Sequence, residues 1–128
     1  MLLITGGAFQ GKLDYALEIT GLDEGSVVDG EYCDYDEIYE ARIIYRFHEL
    51  IRRLLINDED IPEYVEKLIK INPEAVIIVN EVGSGIIPID PVDRRYRETV
   101  GRTSCLIAKS AKEVHRVICG MGVRIKHG

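Results

Sequence analysis

Only four prolines and three cysteines occur in the 128 residues, and no apolar run approaches the roughly 20 residues that cross a bilayer. Each shortage excludes something. With 46% hydrophobic and 30% charged residues, so little proline argues against a disordered or fibrous chain. Cys33, Cys105 and Cys119 are odd in number and far apart, without the close pairing of a zinc site, and suit a reducing cytoplasm. The apolar runs are short and no basic region precedes the apolar start at Leu2, so neither membrane insertion nor export is expected. Positive charge is also scarce: 16 Lys and Arg against 22 Asp and Glu give a net charge of -6. That is the wrong sign for holding nucleic acid over a broad surface, whereas a nucleotide held by backbone amides and one lysine remains compatible. The length suits one domain, so residues 1–128 are expected to form a single nucleotide-binding unit with no targeting extension.

What is present is an alternation of strand and helix signals. Leu2-Leu3-Ile4-Thr5 stops at Gly6-Gly7, and Leu13, Ala16, Leu17 and Thr20 then recur at helical spacing. Ser26-Val27-Val28-Asp29 predicts a second strand. Over residues 38–56, Ile44, Phe47, Ile51, Leu54 and Leu55 form one helical stripe with Arg42, Arg46, Glu49, Arg52 and Arg53 on other faces, which predicts the longest helix. Asp60-Ile61-Pro62-Glu63 combines a capping aspartate, a first-turn proline and a glutamate, and starts another helix. The continuous apolar run 75–79 predicts a central strand covered on both faces. After a glycine-rich loop and the basic stretch Arg94-Arg95-Tyr96-Arg97, a helix over about 101–112 and short strands at 114–119 and 123–125 close the chain. The alternation implies a P-loop NTPase-like, three-layer α/β fold with a mostly parallel sheet of about five strands, its ligands gathering at the carboxyl edge.

Gly6-Gly7-Ala8-Phe9-Gln10-Gly11-Lys12 has the spacing of a phosphate-binding P-loop, in which backbone wraps phosphate oxygens and the lysine reaches the β and γ phosphates. Gly6, Gly11 and Lys12 meet the defining positions, and the helix opening there adds free amides and a favourable dipole. A glycine turn between strand and helix also occurs in α/β domains that bind nothing. Leu13 stands where the motif carries Ser or Thr to ligate Mg²⁺, so ATP or GTP binding is predicted with a weakened metal site. Asp29 and Glu81, at strand ends on the edge of Lys12, are the candidates for Mg²⁺ ligation and, with Lys12, for catalysis. A strand-terminal acid also serves simply to solubilise a loop or cap a helix.

The loop Asn80-Glu81-Val82-Gly83-Ser84-Gly85-Ile86-Ile87-Pro88 is too particular for a simple turn. It resembles the adenosylcobinamide kinase and adenosylcobinamide-phosphate guanylyltransferase family of cobalamin biosynthesis. The similarity continues through Arg94, Tyr96, Arg97, Glu98, Gly101 and Ala108, covers the C-terminal stretch from Gly120 to Lys126, and includes the P-loop. The resemblance implies homo-oligomeric P-loop subunits that phosphorylate a cobinamide hydroxyl and transfer GMP from GTP through a guanylylated histidine, with ATP or GTP and Mg²⁺ as cofactors. By that analogy Gly6, Gly7, Gly11 and Lys12 cradle the triphosphate, Asp29 and Glu81 position metal or acceptor, and Asn80, Gly83 and Gly85 approach the ligand. Arg94, Arg95 and Arg97 form a candidate phosphate clamp, with a salt-bridged surface segment beside Asp90, Asp93 and Glu98 as the alternative.

Three departures qualify what is implied. Leu13 removes a metal ligand, and Ser104 replaces a familiar asparagine. Only residues 21–25 stand where the family inserts the strand and helix that carry its nucleophilic histidine. His48, His115 and His127 all lie elsewhere, with His48 expected on a helix surface. Loss of that nucleophile removes the covalent route, so guanylyl transfer is expected to be absent. Tyr32, Tyr35, Tyr39 and Tyr45, with Cys33 among them, either line a corrin-sized surface or pack between subunits, and packing is the expectation. The sequence reading is thus a cobinamide kinase-like phosphotransferase, or a relative that holds nucleotide without catalysis.

Overall fold

Strands that are apolar along their whole length must be covered on both faces, and two such strands form the centre of the sheet. In a computed structural model, which describes residues 1–81 and 91–127, β1 (Leu2–Gly6) pairs in parallel with β4 (Val76–Asn80), Leu2 opposite Val76 through Gly6 opposite Asn80. On the far side of β4 lie β3 (Ile43–Tyr45) and then β2 (Val27–Asp29), both parallel. Beyond β1 come β5 (Glu113–Ile118), parallel, and β6 (Met121–Lys126), which turns back antiparallel. Among the described residues the sheet therefore has six strands, in the order β2-β3-β4-β1-β5-β6.

Among the described residues four α-helices complete the layers: α1 (Lys12–Thr20), α2 (Phe47–Ile56), α3 (Ile61–Ile71) and α4 (Pro91–Ser110). One core joins Leu3, Ile44, Ile77, Val79 and Val114 of the sheet to the buried sides of α2, α3 and α4. The other joins Ile4, Ile43, Ile78 and Val117 to Ala16 of α1, with Leu13 and Leu17 packed against it. This is the expected helix, sheet, helix sandwich.

Three sequence expectations change. The sheet has six strands rather than about five, because the predicted helix over 38–56 is interrupted. Ile43, Ile44 and Tyr45 are a strand, and the helical period begins only at Phe47. Between them Arg46 takes a left-handed conformation (φ 51°) that no helix interior accommodates. Ile44 fits a helical stripe by spacing, yet Ile43 beside it is equally buried against the opposite layer, which only a strand with alternating faces allows. The helix expected over 101–112 extends back to Pro91, since Tyr96, Val100, Thr103 and Ile107 bury one continuous stripe. The loop residues Gly83 and Gly85 lie outside the described residues.

If β3 is buried on both faces, Ile43→Ala and Ile44→Ala will each lower the unfolding free energy by about 2–5 kcal/mol. Urea unfolding of the two variants checks this. A loss well below that range at either position would mean that one face of β3 is open.

Candidate functional site

The chain leaves β1 through a turn that side chains at two positions would obstruct. A Cβ on Gly6 would stand 2.5 Å from the Val117 carbonyl oxygen of β5, and Gly11, at φ 83°, caps α1 in the left-handed region that glycine tolerates best. The turn is held from both neighbours. The Glu81 amide donates to Gly6 O at 2.8 Å, while the Cys119 and Gly120 amides donate to Gln10 Oε1 and Gln10 O at 2.7 and 2.8 Å. Cys119 and Gly120 both have positive φ, the signature of a tight two-residue hairpin turn between β5 and β6.

Lys12 opens α1 and is buried, its ammonium donating to Gly7 O at 2.6 Å. Burial lowers its pKa, partly offset by the charge of Glu81. The first-turn amides of α1 have no partner within the helix. Ala8, Phe9, Gln10, Gly11, Lys12, Leu13 and Asp14 line one wall of a cleft of about 540 Å³. The opposite wall is Glu31, Tyr45, Arg46, His48 and Glu49, with Asn80 at the end of β4 also in the lining. Gly6 and Gly7 build the turn behind this wall. Phe9, fully exposed at φ 60°, stands at its apex.

Asp29 and Glu81 are not in the lining. Arg46 forks onto Asp29, Nε to Oδ1 at 3.1 Å and Nη2 to Oδ2 at 2.5 Å, and its Nη1 pairs with Glu31. Burial raises the Asp29 pKa, but the Arg46 contacts and the Glu31 amide outweigh it and hold the carboxyl below its usual range. Glu81 is gripped in the same way by Arg116, at 2.8 and 3.1 Å. Leu13 offers no oxygen, and among the described residues no three His, Cys, Asp or Glu side chains converge. A metal such as Mg²⁺, which needs carboxylate oxygens free of a competing cation, is poorly matched by Asp29 and Glu81 as they stand. Arg94 is exposed on α4 and Arg97 pairs with Asp93 at 3.1 Å; neither lines the cleft.

The cleft also contains residues whose role the sequence did not disclose. Arg46 sits between the rings of Tyr32 and Tyr45, 5.6 and 5.4 Å from their centroids, and the Asp29 contact raises its pKa further. His48, expected on a helix surface, is buried, and its Nδ1 accepts the Asn80 amide at 3.1 Å. The proton of the neutral ring is thereby left on Nε2. Burial first, then the charges of Lys12, Arg46 and Arg52, push the His48 pKa down to about 4. Tyr35 and Tyr39 pack against Tyr64 within the chain, beside buried Cys33, whereas Tyr45 reaches the cleft. The signal for Arg46 and His48 was the β-branched pair Ile43-Ile44: once read as a strand, it places the following residues at the sheet's carboxyl edge.

A histidine kept neutral in the folded state makes stability depend on pH with a definite sign. As pH falls below 6.5 the unfolded chain takes up a proton that folded His48 refuses, so stability is lost down to about pH 4. This group alone predicts a loss of roughly 2 kcal/mol between about pH 7 and pH 5. His48→Asn keeps an acceptor for the Asn80 amide and should flatten that part of the profile in denaturant unfolding. An unchanged slope would show that His48 protonates freely in the folded protein.

Comparison with known proteins places these residues in context. The family model for cobinamide kinase / cobinamide phosphate guanyltransferase, CobU, matches residues 38–125. The bifunctional adenosylcobalamin biosynthesis protein CobU of Salmonella typhimurium is 35% identical over 69 residues, covering 54% of this chain and 38% of that protein. Its namesake in Escherichia coli is 42% identical over 53 residues, covering 41% of this chain and 29% of that protein. The alignments thus span well under half the length of either relative. The family match takes in β3, α2, β4, α4 and the β5–β6 hairpin, and with them Tyr45, Arg46, His48 and Asn80 of the cleft. Since the match covers most of its residues, this chain belongs to the cobinamide kinase / cobinamide phosphate guanyltransferase family.

Proposed function

We propose that the chain is a nucleotide-binding protein of the cobalamin biosynthesis pathway, holding the phosphates of ATP or GTP in the cleft between the P-loop turn and α2. The observation that carries this reading is the placement of Lys12. Its buried ammonium lies on Gly7 O at the opening of α1, beside the first-turn amides, where backbone donors and helix dipole both favour an anion. Gly6, Gly7, Ala8, Phe9, Gln10, Gly11, Lys12 and Leu13 form the nucleotide-binding turn, and Asn80 stands at its rim.

Kinase-like phosphoryl transfer to a cobinamide-type hydroxyl is the enzymatic form of this reading, with Lys12, Asp29 and Glu81 as its catalytic groups and Arg94 and Arg97 as further phosphate contacts. A family relative that holds nucleotide without transferring phosphate is the other form. The pairing of Asp29 with Arg46 and of Glu81 with Arg116 favours the second, because neither carboxylate is presented to the cleft. Guanylyl transfer is proposed to be absent: His48 has its Nδ1 taken by the Asn80 amide, and His115 is held between Tyr15 and Glu113. Self-association of the chain is proposed by the same family analogy.

Titration with ATP and GTP, followed by incubation with cobinamide, tests the reading. Binding weakened at least about tenfold by Lys12→Ala is expected, as for loss of a charge-assisted contact. Phosphorylated cobinamide that disappears in that variant would establish the kinase. Tight binding without product would establish the nucleotide-holding form, and no binding by either nucleotide would refute both.

A further inference from the structure

A P-loop that works with a divalent cation keeps a hydroxyl after its lysine and a carboxylate on a neighbouring strand, both directed at the metal. This chain has Leu13 in the first place. On the neighbouring strands, β3 ends in Tyr45 with Arg46 next, β4 in Asn80 with Arg116-bound Glu81 next, and β2 in Arg46-bound Asp29. A guanidinium thus occupies the oxygens that a metal would need. Arg46 is itself in the lining of the cleft, opposite Lys12, and both cations are close enough to His48 to depress its protonation. Its side chain is fixed by the Asp29 fork, by Glu31 and by the rings of Tyr32 and Tyr45. Those contacts engage one N–H on each guanidinium nitrogen and leave two of the five donors for a ligand. Its left-handed backbone brings the chain from β3 into α2 at this point.

The geometry points to Arg46 as the second phosphate-binding cation of the cleft, standing where related chemistry uses a divalent metal, so that this chain binds polyphosphate without Mg²⁺. This rests on the reading of the cleft as a phosphate site. Arg46 supplies a fixed planar fork suited to phosphate oxygens, and Asp29 and Glu31 hold that fork in place instead of ligating metal. Metal-free polyphosphate is the species the cleft selects. Asp14, on the first turn of α1, is the one cleft carboxylate for which an Arg, Lys or His partner is not seen among the described residues.

Calorimetric titration of the full chain with inorganic tripolyphosphate and with ATP, in EDTA and in excess Mg²⁺, provides the test. Affinity in EDTA equal to or tighter than that in Mg²⁺ is expected. Arg46→Asn, whose side chain tolerates left-handed backbone, should weaken binding in EDTA at least about tenfold, with Mg²⁺ restoring part of it through the freed Asp29 and Glu31. Arg46→Lys keeps a cation without the fork and should fall between; it serves if the asparagine variant fails to fold. Wild-type binding that requires Mg²⁺ would overturn the inference while leaving the phosphate site standing, and its loss in Asp14→Asn would then locate the metal. Unchanged binding by folded Arg46 variants would also overturn it. No binding in either buffer would refute the phosphate site itself.

Discussion

The close approach of the β1 turn to β5 sets the position of everything else in the cleft. Gly6 lies so near the Val117 carbonyl that no side chain fits, and from there the chain is tied to β4 through Glu81 and to the hairpin turn through Gln10. Lys12 then has one place to go, back across Gly7. The phosphate binding proposed for this turn would meet amides that are already fixed, so that little ordering entropy would be lost. The cost is borne locally, in the left-handed, fully exposed Phe9 at the apex.

Charge across the cleft is organised by a second constraint, the left-handed junction at Arg46. It swings the guanidinium onto Asp29 and Glu31 and leads directly into His48, whose ring secures the Asn80 amide at the end of β4. Three strand ends, β2, β3 and β4, are thereby joined through side chains rather than through the ladder alone. In this low-dielectric wall a neutral imidazole between cations is the stable form, and a protonated one is not. The carboxylates that a metal would require are consumed in building that wall.

The layers of the fold were legible because their signals were local: the apolar run 75–79, the glycine-bounded start of α1 and the capping aspartate of α3 each specify one element on their own. Asp60 does accept from the Glu63 amide at 3.1 Å, as its spacing suggested. β3 was not legible. Ile44 continues the stripe of α2 by position, and nothing local marks Arg46 as left-handed; burial of Ile43 on the opposite face is a property of the assembled sheet. The site was half visible for the same reason. The P-loop turn is contiguous in sequence, but the wall that faces it comes from the junction hidden inside the predicted helix. Asp29 and Glu81 were correctly placed at strand ends, and their arginine partners, 17 and 35 residues away, were beyond the reach of spacing.

A structure of the full chain with bound inorganic tripolyphosphate measures most directly whether the cleft is a phosphate site. Phosphate oxygens on the amides of Ala8 to Lys12, with the Lys12 ammonium moved from Gly7 O onto the anion, are the predicted result. Tripolyphosphate bound elsewhere, with Lys12 still on Gly7 O, would contradict it.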